Sequence, residues 1–517
     1  MSKIKNLFFG LIAFLLVGFT AVAQQSLPED IAFKLKREAF QNSQVEALSF
    51  YLTDFAGPRL TASKLGVRAE ILSKEKLVEL DFSNVRIEYA ADFPRGGWDN
   101  LKTYVAMTEP YYINLTALPR AWTGSTNGLI KDEVILLEIN SQEDIAKYRG
   151  RLNNKIILMP ETQRYVMQFT PFATRYTDEE LEEIATDPRP RAQIQTPQVS
   201  QISMLSQVFL QNQIRNLLAE ERPAVIISGG GVFNVPRTAS ATHRHGDPEP
   251  IAELTLPIEH HGLMVRLIKN NIPVSMEVEV RNEFSDNQII NNVIAEIPGT
   301  DPRLRDEIVL IGAHLDSWHG GTGAADNASG CVVMIEALRI IKESGVRPRR
   351  TIRVALWGGE EQGLIGSRGY MENNLYDVTE NRPRRGYEQF ALYLNMDNGS
   401  GKFRGIYLEE NDMAFPFFRE WIKPMDSLNF GVLSPRRTGS TDHVVFDRIG
   451  LPAFQFIQDE LEYMRGYHSA MDTFERLIMT DLQYNAAVVA ILALSAAMDN
   501  GKIPPKPLPA GFSLQRR

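Results

Sequence analysis

Three neighbouring stretches decide the fold: EIVLIGAHLD (307–316), SGCVVMIEALRIIKESG (329–345) and TIRVALWGG (351–359). The outer two are short apolar runs rich in β-branched residues, and the middle one repeats apolar residues at three- and four-residue spacing. They read as strand, helix, strand, and strands joined in this way lie parallel in one sheet. Further out, NNVIAEIPG (291–299), FALYLNMDNG (390–399), FRGIYLE (403–409) and PAFQFIQ (452–458) add apolar runs, and TDLQYNAAVVAILALSAAM (480–498) adds a long helix. The expected class is α/β: a mixed, mostly parallel sheet with helices on both faces.

In open sheets of this kind ligands gather beyond the carboxyl ends of the strands. His314 and Asp316 follow the first run, and Asp326 sits in the glycine-rich turn after them. VALWGG delivers Glu360 and Glu361, FALYLNM delivers Asp397, and His468 and Asp472 come after PAFQFIQ. Asp326 taken alone has a plain reading, because it precedes Asn-Ala-Ser-Gly and a helical run, as a helix N-cap does. The set does not. So many carboxylates at one sheet edge repel one another unless cations neutralise them. Imidazole with carboxylate suits zinc. Two ions sharing a bridging carboxylate need about five ligands, and a further glutamate off the metal must move the proton of the attacking water. Glu360 and Glu361 fit these two roles, but neighbours on a turn do not declare which takes which.

The 517 residues allow several domains, and 44% apolar content argues for a folded chain. A formal charge of -9 without a long Lys/Arg block argues against nucleic acid as a partner. Cys331, the single cysteine, rules out an internal disulfide, and its place in an apolar helical run points to packing. Ser317, Ser329 and Ser367 lack the GxSxG elbow of a serine hydrolase. Lys3 and Lys5, an apolar run from Leu7 to Phe19 and Ala-Val-Ala ending at Ala23 form an expected signal peptide, residues 1–23. No later segment reads as long and apolar enough to cross a membrane. The expected location is therefore the periplasm or exterior of a bacterium, with no stable membrane anchor.

GAHLDS (312–317), GAADNASG (323–330), WGGEEQGLIGSRGY (357–370), LNMDNG (394–399), STDHVVF (440–446) and YHSAMDTFE (467–475) occur in that order and strand context. Together they resemble metallopeptidase family 28, the co-catalytic zinc aminopeptidase and carboxypeptidase group, with its zinc exopeptidase (phosphorylase/hydrolase-like) fold. The resemblance implies two zinc ions per chain. His314, Asp326 and Asp397 would hold one, Asp326, Glu361 and His468 the other, with Asp326 as the bridge and Glu360 as general base and acid. Asp316 would orient the His314 ring and Asp472 would steady the region of His468. Tyr467 resembles the glutamate carboxypeptidase tyrosine that stabilises the tetrahedral intermediate, its plain reading being a packed aromatic. Asp442 and His443 are expected near the pocket.

KIILMP (155–160), PAVIISGGG (223–231), ELTLPIEHHGLMVRLIKNN (253–271) and VSMEVEV (274–280) resemble a protease-associated domain. This implies an insert over residues 126–285 between two parts of a catalytic domain, 24–125 and 286–517. The expected activity is exopeptidase action on peptide substrates, with aminopeptidase, carboxypeptidase and dipeptidase specificity open and Arg436 and Arg437 as candidate anchors for a terminal carboxylate. A one-zinc acyl transferase of glutaminyl cyclase type and a receptor-like protein with a degenerate site are the alternatives, and a homodimer is the one assembly considered. His243 and His245 read as part of a solvated loop, and His260 and His261 as surface residues opening a helix.

Overall fold

Ile308–His314 and Thr351–Trp357 lie side by side and parallel, joined through the helix Ser329–Glu343, in a computed structural model that describes residues 25–161, 163–187, 201–508 and 512–514. The expected leader, residues 1–23, lies outside the described residues. These strands belong to an eight-stranded mixed sheet. Its order is Ser83–Asp92, Ile289–Ile297, Thr351–Trp357, Ile308–His314, Phe390–Asn395, Ala453–Gln458, Phe403–Tyr407 and Val432–Ser434. The four central strands are mutually parallel, so their carboxyl ends open on one edge.

Both faces of this sheet are covered, which is why its strands read as continuous apolar runs rather than alternating ones. Val309, Ile311 and Ala313 pack with residues of Ser329–Glu343 and of the C-terminal helix Met479–Met498. Leu310, one residue out of phase, packs with Trp357, Tyr393 and Phe446 on the opposite face. N-terminal residues Leu35, Ala39, Val45 and Leu48 join the first of these layers. Met479–Met498 corrects one expectation, since this helix is long and apolar enough to cross a bilayer. Its apolar window is 89% buried inside the fold, so packing accounts for its composition.

A second eight-stranded sheet runs in the order Ile113–Asn114, Gly97–Glu109, Ser275–Ser285, Ile130–Leu136, Ile156–Leu158, Val225–Gly229, Ala252–Leu256 and Leu118–Pro119. It has its own core, centred on Ile156, Leu158, Ile227, Leu254, Met276 and Val278. The chain passes from the first sheet to this one at residues 93–96, because Ser83–Asp92 pairs with Ile289–Ile297 and Gly97–Glu109 with Ser275–Ser285. The turn residues Pro94, Gly96 and Gly97 mark that change in the sequence.

Two histidines read as surface residues turn inward. His261 is 1% exposed and its Nε2 lies 2.9 Å from the Met159 carbonyl, while His243 is 7% exposed with its ring against Phe284.

Candidate metal centre

His314 closes the strand Ile308–His314 and is fully buried. Its Nδ1 lies 2.9 Å from the Asp316 carbonyl oxygen and 3.7 Å from the Asp316 carboxylate, so the carbonyl is the nearer orienting group. A carbonyl only accepts, which puts the proton on Nδ1 and leaves Nε2 with the free lone pair in the neutral ring. Nε2 faces Asp326 Oδ1 at 3.2 Å and Asp397 Oδ1 at 3.4 Å.

Asp326 reaches this point because the turn Ala324–Ala328 departs from helical geometry there, at φ −125° and ψ 86°. Asn327, not Asp326, takes the capping role: its Oδ1 accepts the Gly330 N–H at 3.1 Å. The Asp326 carboxylate is thereby left to face two imidazoles, with Oδ2 lying 3.4 Å from His468 Nε2. That same His468 nitrogen is 2.9 Å from Glu361 Oε2. Ligand atoms of His314, Glu360 and Asp397 all lie within 4.8 Å of one another, as do those of Asp326, Glu361 and His468.

Neighbouring groups hold these side chains. Asp316 accepts the Glu360 N–H on Oδ1 at 3.0 Å, and the Glu361 N–H at 3.2 Å and the Thr61 hydroxyl at 2.9 Å on Oδ2. The carboxylate expected to orient His314 therefore chiefly ties together the turns that follow two parallel strands. Asp472 accepts the Ala325 N–H at 2.6 Å and the Asp326 N–H at 3.1 Å, fixing the backbone of Asp326. Tyr467 stacks on the His468 ring at 3.5 Å between centroids and 21° between planes.

Two contributors were not singled out from the sequence. Trp318 Nε1 donates to Glu361 Oε2 at 2.8 Å, and the buried Arg59 donates to the carbonyls of Leu52, Leu315, Thr322 and Gly323. Trp318 lies far along the chain from Glu361, and Arg59 from three of its four partners, so no local signal marks them. Cys331 is buried and its thiol donates to the His314 carbonyl at 3.1 Å. Arg436 donates to the Asp187 carbonyl at 2.8 Å, and Arg437 pairs with Asp447 at 3.1 Å, so both candidate anchors are engaged by the protein itself. Asp442 and His443 are fully buried, with His443 Nε2 lying 3.0 Å from Thr438 Oγ1.

The electrostatics fit a cation. Burial raises Glu361, and Asp326 beside it adds to this, giving a pKa of about 7. Burial followed by the Asp326 charge takes Asp472 to about 7 as well. Glu360 is pushed well above the ordinary carboxylate value by burial, with Asp397, Asp442 and Glu361 outweighing the opposing His314. Burial pulls both imidazoles down, but the carboxylates win: His468 reaches about 9, and His314 ends well above its ordinary value. Asp326 is held well below the carboxylate range, because the two imidazoles overcome its burial. Buried Glu361 Oε1 has no partner, and His314 Nε2, Asp326 Oδ2 and His468 Nε2 make no well-formed hydrogen bond and meet only other members of this cluster. Unpaired buried polar atoms of this kind are costly unless something charged meets them. This donor set, two imidazoles with carboxylates on either side, fits divalent zinc.

A mixed α/β sheet whose parallel central strands collect imidazoles and carboxylates at their carboxyl edge fits a metallohydrolase, and comparison with known proteins makes it a metallopeptidase. Residues 292–493, the part that carries His314, Asp326, Glu361, Asp397 and His468, match the family model of Peptidase family M28. Mouse (Mus musculus) carboxypeptidase Q is 24% identical over 459 residues, covering 89% of this chain and 86% of the mouse protein. The crystal structure of a peptidase M28 precursor from Shewanella amazonensis superposes with a TM-score of 0.64 at 23% identity, covering 93% of this chain and 99% of that one. A zinc aminopeptidase from Bacillus subtilis gives a TM-score of 0.54 at 18% identity over 88% and 95% of the two chains.

Proposed function

We propose that the protein is an exported exopeptidase that uses two zinc ions to hydrolyse terminal peptide bonds. One observation carries this reading: the two oxygens of Asp326 face different imidazoles, His314 at 3.2 Å and His468 at 3.4 Å. A carboxylate so placed is suited to span two ions, one held also by His314 and Asp397 and the other by Glu361 and His468. When bound, such a pair supplies Lewis acidity and lowers the pKa of water toward neutrality.

Glu360 is the residue left to move the proton. Its burial and anionic neighbours raise its affinity for a proton, which suits a carboxylate that takes a proton from water and then, as the acid, returns it to the leaving amine. Tyr467, stacked on the His468 ring, would donate its hydroxyl to the carbonyl oxygen of the scissile amide as charge develops there. Both imidazole–carboxylate groups are complete, which favours the two-ion peptidase over a one-zinc acyl transferase or a degenerate receptor. The engagement of Arg436 and Arg437 by Asp187 and Asp447 counts against them as anchors for a terminal carboxylate. The second sheet is proposed to be a protease-associated-like unit, and export rests on the leader-like residues 1–23.

Mass spectrometry of products from a peptide library with free and blocked termini tests the activity. Single residues or dipeptides released from an unblocked end are expected. Glu360→Gln should keep its zinc and lose at least about 10²-fold in turnover, the contribution of a positioned proton carrier. Cleavage only at internal bonds, or a fully active Glu360→Gln enzyme, would contradict the reading.

A further inference from the structure

His468 is one of the residues with positive φ, at 53°, a backbone conformation uncommon for any residue but glycine and one that its surroundings here hold in place. What imposes it comes largely from the second sheet's unit. Thr238, in the loop after Val225–Gly229, donates to the His468 carbonyl twice, from its backbone N–H at 2.8 Å and from its hydroxyl at 3.0 Å. Arg237, next to it, pairs with Ser469 in an antiparallel bridge and donates from Nη2 to the Met464 carbonyl at 2.7 Å. Gly320, in the loop after His314, closes the contact: a Cβ there would meet the Thr238 methyl at 2.9 Å and the Ser469 carbonyl carbon at 3.2 Å.

The same segment is gripped higher up. The Arg465 guanidinium lies over the Phe172 ring at 4.6 Å and the Phe233 ring at 4.9 Å, and those rings meet edge to face at 5.2 Å. Thr174 and Leu461 exchange backbone hydrogen bonds of 3.3 and 2.9 Å. Residues 172–174 and 233–238 thus hold 461–469 along its length, and that segment ends on the imidazole facing Asp326 and Glu361.

We propose that Thr238, supported by Arg237, is a positioning residue for the metal centre. The two hold His468 in its left-handed conformation, so docking of the second sheet's unit sets how tightly one of the two ions is retained. The proposal rests on the reading of His468 as a metal ligand. Groups that orient a ligand from behind commonly govern affinity without touching the ion. The coupling is reciprocal, so an ion bound at His468 must in turn tighten the docking.

The test uses the full zinc-loaded chain and Thr238→Val, which keeps the side-chain shape and removes the hydroxyl, with Thr238→Ser and Arg237→Ala as companions. Release of zinc to a chelator should be biphasic. In Thr238→Val one of the two ions should leave about tenfold faster and the other at the wild-type rate, while Thr238→Ser stays close to wild type. Hydrogen exchange supplies a readout independent of activity and of any variant's folding: zinc should slow exchange of the wild-type amides at 237–239 and 466–470. Zinc release unchanged in Thr238→Val and Arg237→Ala, or wild-type exchange at 237–239 indifferent to zinc, overturns the proposal while leaving the metal reading intact. A wild-type chain that takes up no zinc overturns both.

Discussion

Glu361 shows how much of the site is decided at single residues. One of its oxygens, Oε2, meets both the Trp318 N–H at 2.8 Å and His468 Nε2 at 2.9 Å, so the indole holds the carboxylate in the place where an ion is expected. Trp318→Phe keeps the ring and removes that donor, and zinc affinity at this position should fall about tenfold. Equal affinity in competition titrations would show that the indole only packs. Protonation adds a second test. His468, raised from 6.5 to about 9, stabilises the zinc-free fold below its ordinary pKa, and that contribution is lost as pH rises through about 9. Glu361, raised from 4.5 to about 7, prefers its proton in the fold, so its ionisation costs stability above about 4.5 and the cost is complete beyond about 7. Asp472, raised from 3.8 to about 7, acts with the same sign. The zinc-free protein should therefore melt at progressively lower temperature from about pH 5 to about pH 9, with the gap to the zinc-loaded protein widening as protons cease to compete with the ion. Parallel melting curves would contradict this.

At the scale of elements, the site is a set of turns leaving parallel strands, and Asp316 is the tie between two of them. It follows Ile308–His314 and accepts both N–H groups of the Glu360–Glu361 pair, which follows Thr351–Trp357. Asp316→Ala removes charge-assisted bonds worth about 1.5–3 kcal/mol each and frees both glutamates at once. Turnover and zinc retention should fall together by at least about tenfold, unlike Glu360→Gln, which separates them. Retained zinc with lost turnover in Asp316→Ala would place its role elsewhere. These turns were legible in the sequence because each apolar run stops abruptly at a residue too polar to bury unpaired, such as His314 or Asp397. What Asp316 does was less legible, since its carbonyl and carboxylate serve different partners and only coordinates distinguish them.

At the scale of the molecule, the α/β class followed from runs such as 307–316 and 351–359, whose apolar character is continuous because both sheet faces are covered. The membership of Gly97–Glu109 was harder to see. Its apolar residues come mostly in blocks, Trp98 and then Tyr104–Met107, and that pattern does not name the sheet it joins. Arg59, Trp318 and Thr238 were also silent in the sequence, because each acts through contacts across tens to hundreds of residues. The helix Met479–Met498 shows the converse ambiguity: composition alone does not separate a core helix from a membrane span, and burial inside the fold does.

The central claim is that Asp326 spans two cations at the carboxyl edge of the sheet. Anomalous diffraction at the zinc edge from a crystal of the zinc-loaded protein tests it most directly. Two peaks about 3.5–4 Å apart are predicted, both beside Asp326, one against His314 and Asp397 and the other against Glu361 and His468. A single peak, or peaks that Asp326 does not touch, would contradict it.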